Sequence, residues 1–327
     1  MSTSGYVLRS RLKDYVALVR PAALITAVGD PIAGFFLPLQ FIFEFPSPDA
    51  FVAGILPPIL SSLCLYAGGL VLNDVADAPR DKTLHPDRPI PSGRISRTGA
   101  ALFGVALIAS GILIATMSGR KTAGVAGLLA ISILLYAFGK NESPNLGTGL
   151  MGLCRALNMF LGGMAAVSMP HPHMMFTYVG FSPFFFDVFM LLPFALSLFW
   201  YTMGVTTISL LEEKFRMAGL VLGAVEILMG LIFSPMTYKI YYPSQPAFAA
   251  IGCFAILAMI HGRHAWILAR SRCSSLVHPW TSAGVSGILL IDAAFVFRVG
   301  FFNPGILLLA LWLVSVIIAR LMKHGGE

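Results

Sequence analysis

Residues 51–93 read FVAGILPPILSSLCLYAGGLVLNDVADAPRDKTLHPDRPIPSG. The stretch up to Leu72 carries no charge and is long enough to cross a bilayer core, which takes about 20 apolar residues. Directly behind it stand Asn73, Asp74, Asp77 and Asp81, with Arg80, Lys82, Arg88 and Arg94 among and after them. On a helix, Asn73 and Asp77 are four apart and Asp74 and Asp77 three, so their side chains share one face. The ring of Pro79 cannot continue a regular helix, so Asp81 is expected to begin a new segment. Crowded carboxylates repel and call for a cation. Hard oxygen donors at this density suit Mg²⁺ carrying a substrate phosphate. A merely solvated loop with Asp-Pro turns is the plainer alternative, but it leaves the spacing unexplained.

Hydrophobic residues make up 57% of the 327-residue chain and charged residues 11%, far from the balance of a soluble domain. Ten runs have the length and apolarity of spans: 21–43, 51–73, 99–117, 122–139, 146–168, 188–209, 217–234, 246–268, 282–301 and 304–322. The last two are joined by little more than Asn303 and Pro304, so one of them is expected to be short or re-entrant. The count is nine or ten. With the N-terminus inside, Lys and Arg split seventeen to four in favour of the inner side, and Arg155 stays within a span. That bias sets orientation. It places residues 74–97 as a cytoplasmic cap loop between spans two and three and residues 210–216 as a second acidic loop on the same side, in an inner (plasma) membrane. Attraction to anionic lipid accounts for the formal charge of +7, and no nucleic-acid partner is inferred from it.

The whole of 1–327 reads as one integral-membrane domain of all-α class. Met1 to Arg20 is polar and basic without the apolar core of a cleaved signal, and is expected to be an amphipathic lead-in. Residues 169–187, rich in Pro, His and Phe, are expected to lie in the membrane interface. Cys64, Cys154, Cys253 and Cys273 show no paired spacing, so neither a disulfide framework nor a zinc site is expected.

Ionisable and amide groups inside spans are costly, and five stand out: Asp30, Arg155, Asn158, Glu226 and Asp292. Arg155 lies about nine residues, on the order of 13 Å at helical rise, from the inner end of its helix. A planar, permanently charged guanidinium suits a phosphate held in a cavity, with Asn158 at i+3 on the same face. The competing reading is a structural ion pair with Asp30, Glu226 or Asp292. Tyr66 and the run Phe199, Trp200 and Tyr201 have π faces that suit a cation, although core or interface packing is the commoner role of such residues.

The pattern N-D-x-x-D-x-x-x-D at 73–81, the R-P-I-P-S-G at 88–93 and the V-R-P-A-A-L-I-T-A-V-G-D-P-I-A-G at 19–34 resemble the UbiA superfamily of membrane prenyltransferases. The resemblance implies a bundle of transmembrane helices around a cavity with a cytoplasmic mouth. It implies an Mg²⁺-dependent transferase moving an isoprenyl group, neither methyl nor acyl, from a prenyl diphosphate to an aromatic or other lipophilic acceptor. Asp74, Asp77 and Arg155 would be catalytic, and Asp74, Asp77, Asp81, Glu212 and Glu213 metal ligands. Asn73, Arg88, Asn158, Ser209 and Lys214 would bind substrate. The family's second motif, D-x-x-x-D, is replaced here by S-L-L-E-E at 209–213, with Ser209 and Glu213 at the two Asp positions. That variant, with M-G-L-C-R-A-L-N at 151–158, looks like the divergent EboC-like branch, associated with secondary-metabolite gene clusters. A non-catalytic binding or transport component for a lipophilic metabolite is the second class of function left open.

Overall fold

The computed structural model describes residues 13–40, 46–140, 143–169, 183–212, 214–236 and 248–324. Among the described residues eleven α-helices follow one another: α1 (Lys13–Val19), α2 (Pro21–Leu39), α3 (Pro48–Leu84), α4 (Arg97–Thr116), α5 (Arg120–Gly139), α6 (Pro144–Ser168), α7 (Pro183–Ser209), α8 (Met217–Met236), α9 (Phe248–Ser271), α10 (Val277–Arg298) and α11 (Phe302–His324). Several start where the sequence supplies a start. Pro21, Pro48 and Pro144 occupy the first turn, where a missing N–H is no loss. Ser47 and Ser96 cap their helices by accepting from the backbone N–H of Ala50 and Gly99. Among the described residues there is no strand.

Helices α2 to α11 match the ten apolar runs one for one. Eight of the described helices are long and apolar enough to cross a membrane. A ninth crossing is formed if α1 and α2, which meet at 48°, count as one bent span. The short element is not at the end of the chain, as the Asn303-Pro304 junction suggested. Both α10 and α11 are full length, and Met217–Ile232 of α8 is the shorter apolar stretch. Pro304 sits in the first turn of α11, where it begins a helix rather than interrupting one.

Burial separates inner from outer helices. Of the spanning windows, 78% is buried for α10 and 72% for α6, against 22% for α9 and 17% for α11. The outer helices turn leucine, isoleucine and phenylalanine outward, such as Leu113, Phe248, Leu307 and Ile317, as lipid-facing helices do. Inside, α2 and α6 meet backbone to backbone. A Cβ at Gly34 would fall 2.0 Å from the Met159 carbonyl oxygen, and one at Gly162 would fall 1.9 Å from that of Pro31. Only glycine permits that approach. It brings the polar residues of α6 against those of α2.

Of the prolines within helices, each of which leaves a carbonyl four residues back without its usual donor, Pro31 and Pro79 have theirs answered from other helices. Pro31 frees Ala27 O, which accepts from Ser62 Oγ of α3 and Asn158 Nδ2 of α6, both at 2.9 Å. Pro79 frees Val75 O, which accepts from Arg97 Nε of α4 at 3.1 Å. The expected break at Pro79 therefore does not occur. Helix α3 runs on to Leu84 and carries Asp81 on the same helix as Asp74 and Asp77.

Candidate functional site at the bundle mouth

The continuous helix puts Asp74, Asp77 and Asp81 at i, i+3 and i+7 of α3, on one face. Each carboxylate meets a basic group from a different element. Arg20, at the joint of α1 and α2, bonds Asp74. Lys140, at the end of α5, bonds Asp77 at 2.7 Å and also the side-chain Oδ1 of Asn73. Arg88, from the loop after α3, bonds Asp81 at 2.6 Å. Asn73 in turn donates to Asp77 at 3.1 Å. The loop is fastened by Arg94, which reaches Asp14 and the Asp87 carbonyl. It turns back at Gly93, whose φ of +79° suits glycine. Arg20 holds a left-handed conformation, φ 46° and ψ 73°. Such a conformation is uphill by roughly 1–2 kcal/mol for a residue with a side chain, and it aims the guanidinium at Asp74.

Below this mouth lies a cavity with about 720 Å³ of empty space, counting the part open to solvent. Arg20 and Asn73 stand at its entrance, Leu70, Leu129, Ile133 and Met151 form an apolar wall, Tyr66 and Tyr136 are both part of the lining, and Ser62, Arg155 and Asn158 make the far end. Ser62 is eleven residues before Asn73 on α3, about 16 Å at helical rise. A charged entrance, an apolar shaft and a polar floor suit an amphipathic guest with a strongly anionic head.

Arg155 is 2% exposed and belongs to that floor. Its Nη1 donates to Thr26 O at 2.9 Å and Asp30 Oδ2 at 3.1 Å, and its Nη2 to Thr26 Oγ at 2.8 Å and Tyr66 Oη at 3.0 Å. Four of the five N–H bonds of the guanidinium are thereby committed within the protein. Of the two readings left open for Arg155, the geometry is that of the ion pair with Asp30. The guanidinium also lies 4.8 Å from the Tyr66 ring centroid, beside the cavity it helps to line. Asn158 is likewise engaged, with Ala27 O and with Asp30 Oδ2 at 2.8 Å. Glu226 is buried on α8, outside the cavity lining.

The second motif sits apart from the cavity. Ser209 Oγ donates to Thr206 O at 2.7 Å, one turn back in its own helix. Glu212 accepts from Thr281 Oγ1 at 3.3 Å, and Lys214 is exposed. None of the three lines the cavity, and Glu213 lies outside the described residues. Tyr201 is fully buried, bonded to His261 and to Gly284 O at 2.9 Å each, so it serves the core and faces no guest.

Sequence reasoning passed over Lys140 and Tyr136. Lys140 stands 63 positions from Asp77 and looked like one more inner-side charge. The available signal was a lysine closing an apolar helix, with a tyrosine one turn before it.

Do these residues suit Mg²⁺? Among the described residues no three His, Cys, Asp or Glu side chains converge on one point as a ready metal site. The donors are right in kind, however, and Asp77 Oδ1 is buried without a partner. Three acids and three bases interleaved in this way can open to give carboxylates to a metal and cations to phosphate oxygens.

A polytopic helical bundle with an ion-paired mouth over an amphipathic cavity is the class defined so far. The UbiA prenyltransferase family model matches residues 32–276, and the chain belongs to that family. The chain is 35% identical over 157 residues to the digeranylgeranylglyceryl phosphate synthase of Saccharolobus solfataricus, covering 48% of this chain and 53% of that protein. It is 33% identical over 170 residues to the Methanopyrus kandleri protein of the same name, covering 49% and 56%. It thus spans about half the length of the curated relatives it matches. Among solved structures, one described for digeranylgeranylglyceryl phosphate synthase in membranes aligns with a TM-score of 0.63 at 19% identity, covering 90% of this chain and 99% of that one. A UbiA homologue from Archaeoglobus fulgidus bound to DMAPP and Mg²⁺ aligns with a TM-score of 0.56 at 13% identity, covering 86% and 99%. At such identities the likeness concerns the fold.

Proposed function

We propose that this protein transfers an isoprenyl group from a prenyl diphosphate to a lipophilic acceptor, with the diphosphate held at the mouth and the chain lying in the shaft. The observation that carries this reading is the mouth itself: three carboxylates on one helix face, interleaved with Arg20, Arg88 and Lys140, over an apolar cavity. Asp74, Asp77 and Asp81 are the groups that would hold Mg²⁺, which when bound would neutralise the diphosphate as a leaving group. Arg20, Arg88 and Lys140 exchange their carboxylate partners for phosphate oxygens and hold the head in place. Tyr66 and Tyr136 present π faces where positive charge develops on the allylic carbon as its C–O bond breaks. Arg155 orients Tyr66 from behind. The mouth faces the cytoplasm on the positive-inside bias.

The relatives named digeranylgeranylglyceryl phosphate synthase favour a glycerophosphate-type lipid as the first acceptor to try. A second reading, a binding or transport component that holds the diphosphate without turning it over, is favoured by the placement of Ser209 and Glu212 away from the cavity. One experiment separates the two. Purified protein is incubated with Mg²⁺ and a labelled prenyl diphosphate, with and without geranylgeranylglyceryl phosphate. Acceptor-dependent pyrophosphate release supports the transferase; saturable binding without release supports the second reading. No binding at all defeats both.

A further inference from the structure

Behind the cavity floor, three inner helices carry four buried side-chain oxygens that no donor group of the described residues reaches, and the Asp30 and Asp292 carboxyls lie within hydrogen-bond reach of each other. Asp30 comes from α2, Asn158 from α6 and Asp292 from α10, and their exposures are 0%, 3% and 0%. Both oxygens of Asp292, together with Asp30 Oδ1 and Asn158 Oδ1, have no hydrogen-bond partner among the described residues. The two carboxylates lie against each other. Nearby donors are spent elsewhere: the Arg155 Nη atoms on Thr26, Tyr66 and Asp30 Oδ2, and the Asn158 amide nitrogen on Ala27 O and Asp30 Oδ2. Those bonds also fix which way the Asn158 amide points.

Charge and valence both bear on this set. With both acids ionised, two carboxylates face one guanidinium, and the cluster is then one positive charge short in a place where an unbalanced charge is costly. A divalent ion would overshoot. A single shared proton joins only two of the four oxygens, whereas an alkali cation takes oxygen ligands on all sides, as sodium does inside membrane-protein cores. The site is built to let the carboxylate in. A Cβ at Gly29 would fall 2.4 Å from Asp292 Oδ2 and 2.6 Å from Leu289 Cδ2, so glycine at 29 is what allows α10 to lay its acid on α2. Asn158 also lines the cavity, so the cluster lies directly behind it.

We propose that Asp30, Asn158 and Asp292 bind one sodium ion that ties α2, α6 and α10 together under the cavity. This inference stands independently of prenyl transfer. The test uses the full chain in detergent, with EDTA present to remove divalent ions. Thermal unfolding is followed at constant ionic strength while choline chloride is exchanged for sodium or potassium chloride, and binding of radiolabelled sodium is measured alongside. The expected result is a Tm that climbs with the logarithm of sodium concentration but not with potassium or choline, with about one sodium retained per chain. Asp292→Asn should lose the sodium dependence, and Gly29→Ala should shift it to higher concentration. Identical Tm in all three salts with no labelled sodium retained by the unaltered protein overturns the proposal, and assigns the missing charge to a proton. If Asp292→Asn does not fold, the labelled-sodium measurement decides alone.

Discussion

The two acidic regions of this bundle lie at the same end, yet they differ in what stands behind them. At 73–97 every carboxylate of the motif has a basic partner from a different element, and a polar floor supports the cavity beneath. At 209–216 the hydroxyl of Ser209 turns back into its own helix and Glu212 meets only a threonine. The first region stores charge that a ligand can reorganise. The second offers little beyond a surface charge, which contributes roughly 0–1 kcal/mol at best. An acidic motif works as a site when neighbouring elements supply its counter-charges, and spacing along one helix is only half of that.

The sharpest way to break the comparison is to remove the floor. Arg155→Leu leaves Asp30 without its guanidinium beside a second carboxylate, a loss of about 3–5 kcal/mol for a broken buried pair. A large fall in Tm is expected. Full stability with lost diphosphate binding would instead make Arg155 a ligand contact. Next in size is Asp77→Ala, which removes a proposed metal donor and leaves Lys140 without its carboxylate. Mg²⁺-dependent affinity for a prenyl diphosphate analogue should drop at least about 100-fold, on the order of 2.7 kcal/mol. Calorimetric titration with unchanged metal dependence would remove Asp77 from the metal site.

A smaller effect tests why α3 stays whole. Arg97→Ala removes the donor to Val75 O and should cost about 1 kcal/mol. Pro79→Ala restores a backbone N–H to that carbonyl, so the double variant should recover most of the loss in a thermal-shift cycle. Additive losses would mean that Arg97 acts otherwise. The smallest effect belongs to the second region. Ser209→Asp should tighten analogue binding by no more than about threefold, roughly 0.6 kcal/mol. A gain of two orders of magnitude would show that the two regions meet on the ligand.

What could be read from the chain followed its local chemistry. Ten apolar runs became ten helices because in lipid each span satisfies its own backbone, and the face shared by Asn73, Asp74 and Asp77 needed only helical periodicity. The continuity through Pro79 was hidden because its compensation comes from Arg97, on the next helix. Lys140 was hidden because pairing across the mouth depends on where α5 ends relative to α3. The partner of Arg155 stayed open between Asp30, Glu226 and Asp292 until the Gly34 and Gly162 contact set the register of α2 on α6. In each case the deciding partner lies on another helix, where no local pattern points to it.

The carbonyls freed by Pro31 and Pro79 also matter for how the bundle assembles. Lipid tails are as apolar as the helices they surround, so burial alone does not tell one neighbour from another. Ala27 O accepts first from α3 and then from α6, and Val75 O from α4. Each vacancy in a helix's own ladder is thus an address that later helices fill, each in one rotational setting. As the chain enters the bilayer, α2 carries an unmet acceptor until Ser62 arrives and a second opening until Asn158 does. The two prolines therefore act as keys that impose order and register on helices whose surfaces are otherwise interchangeable.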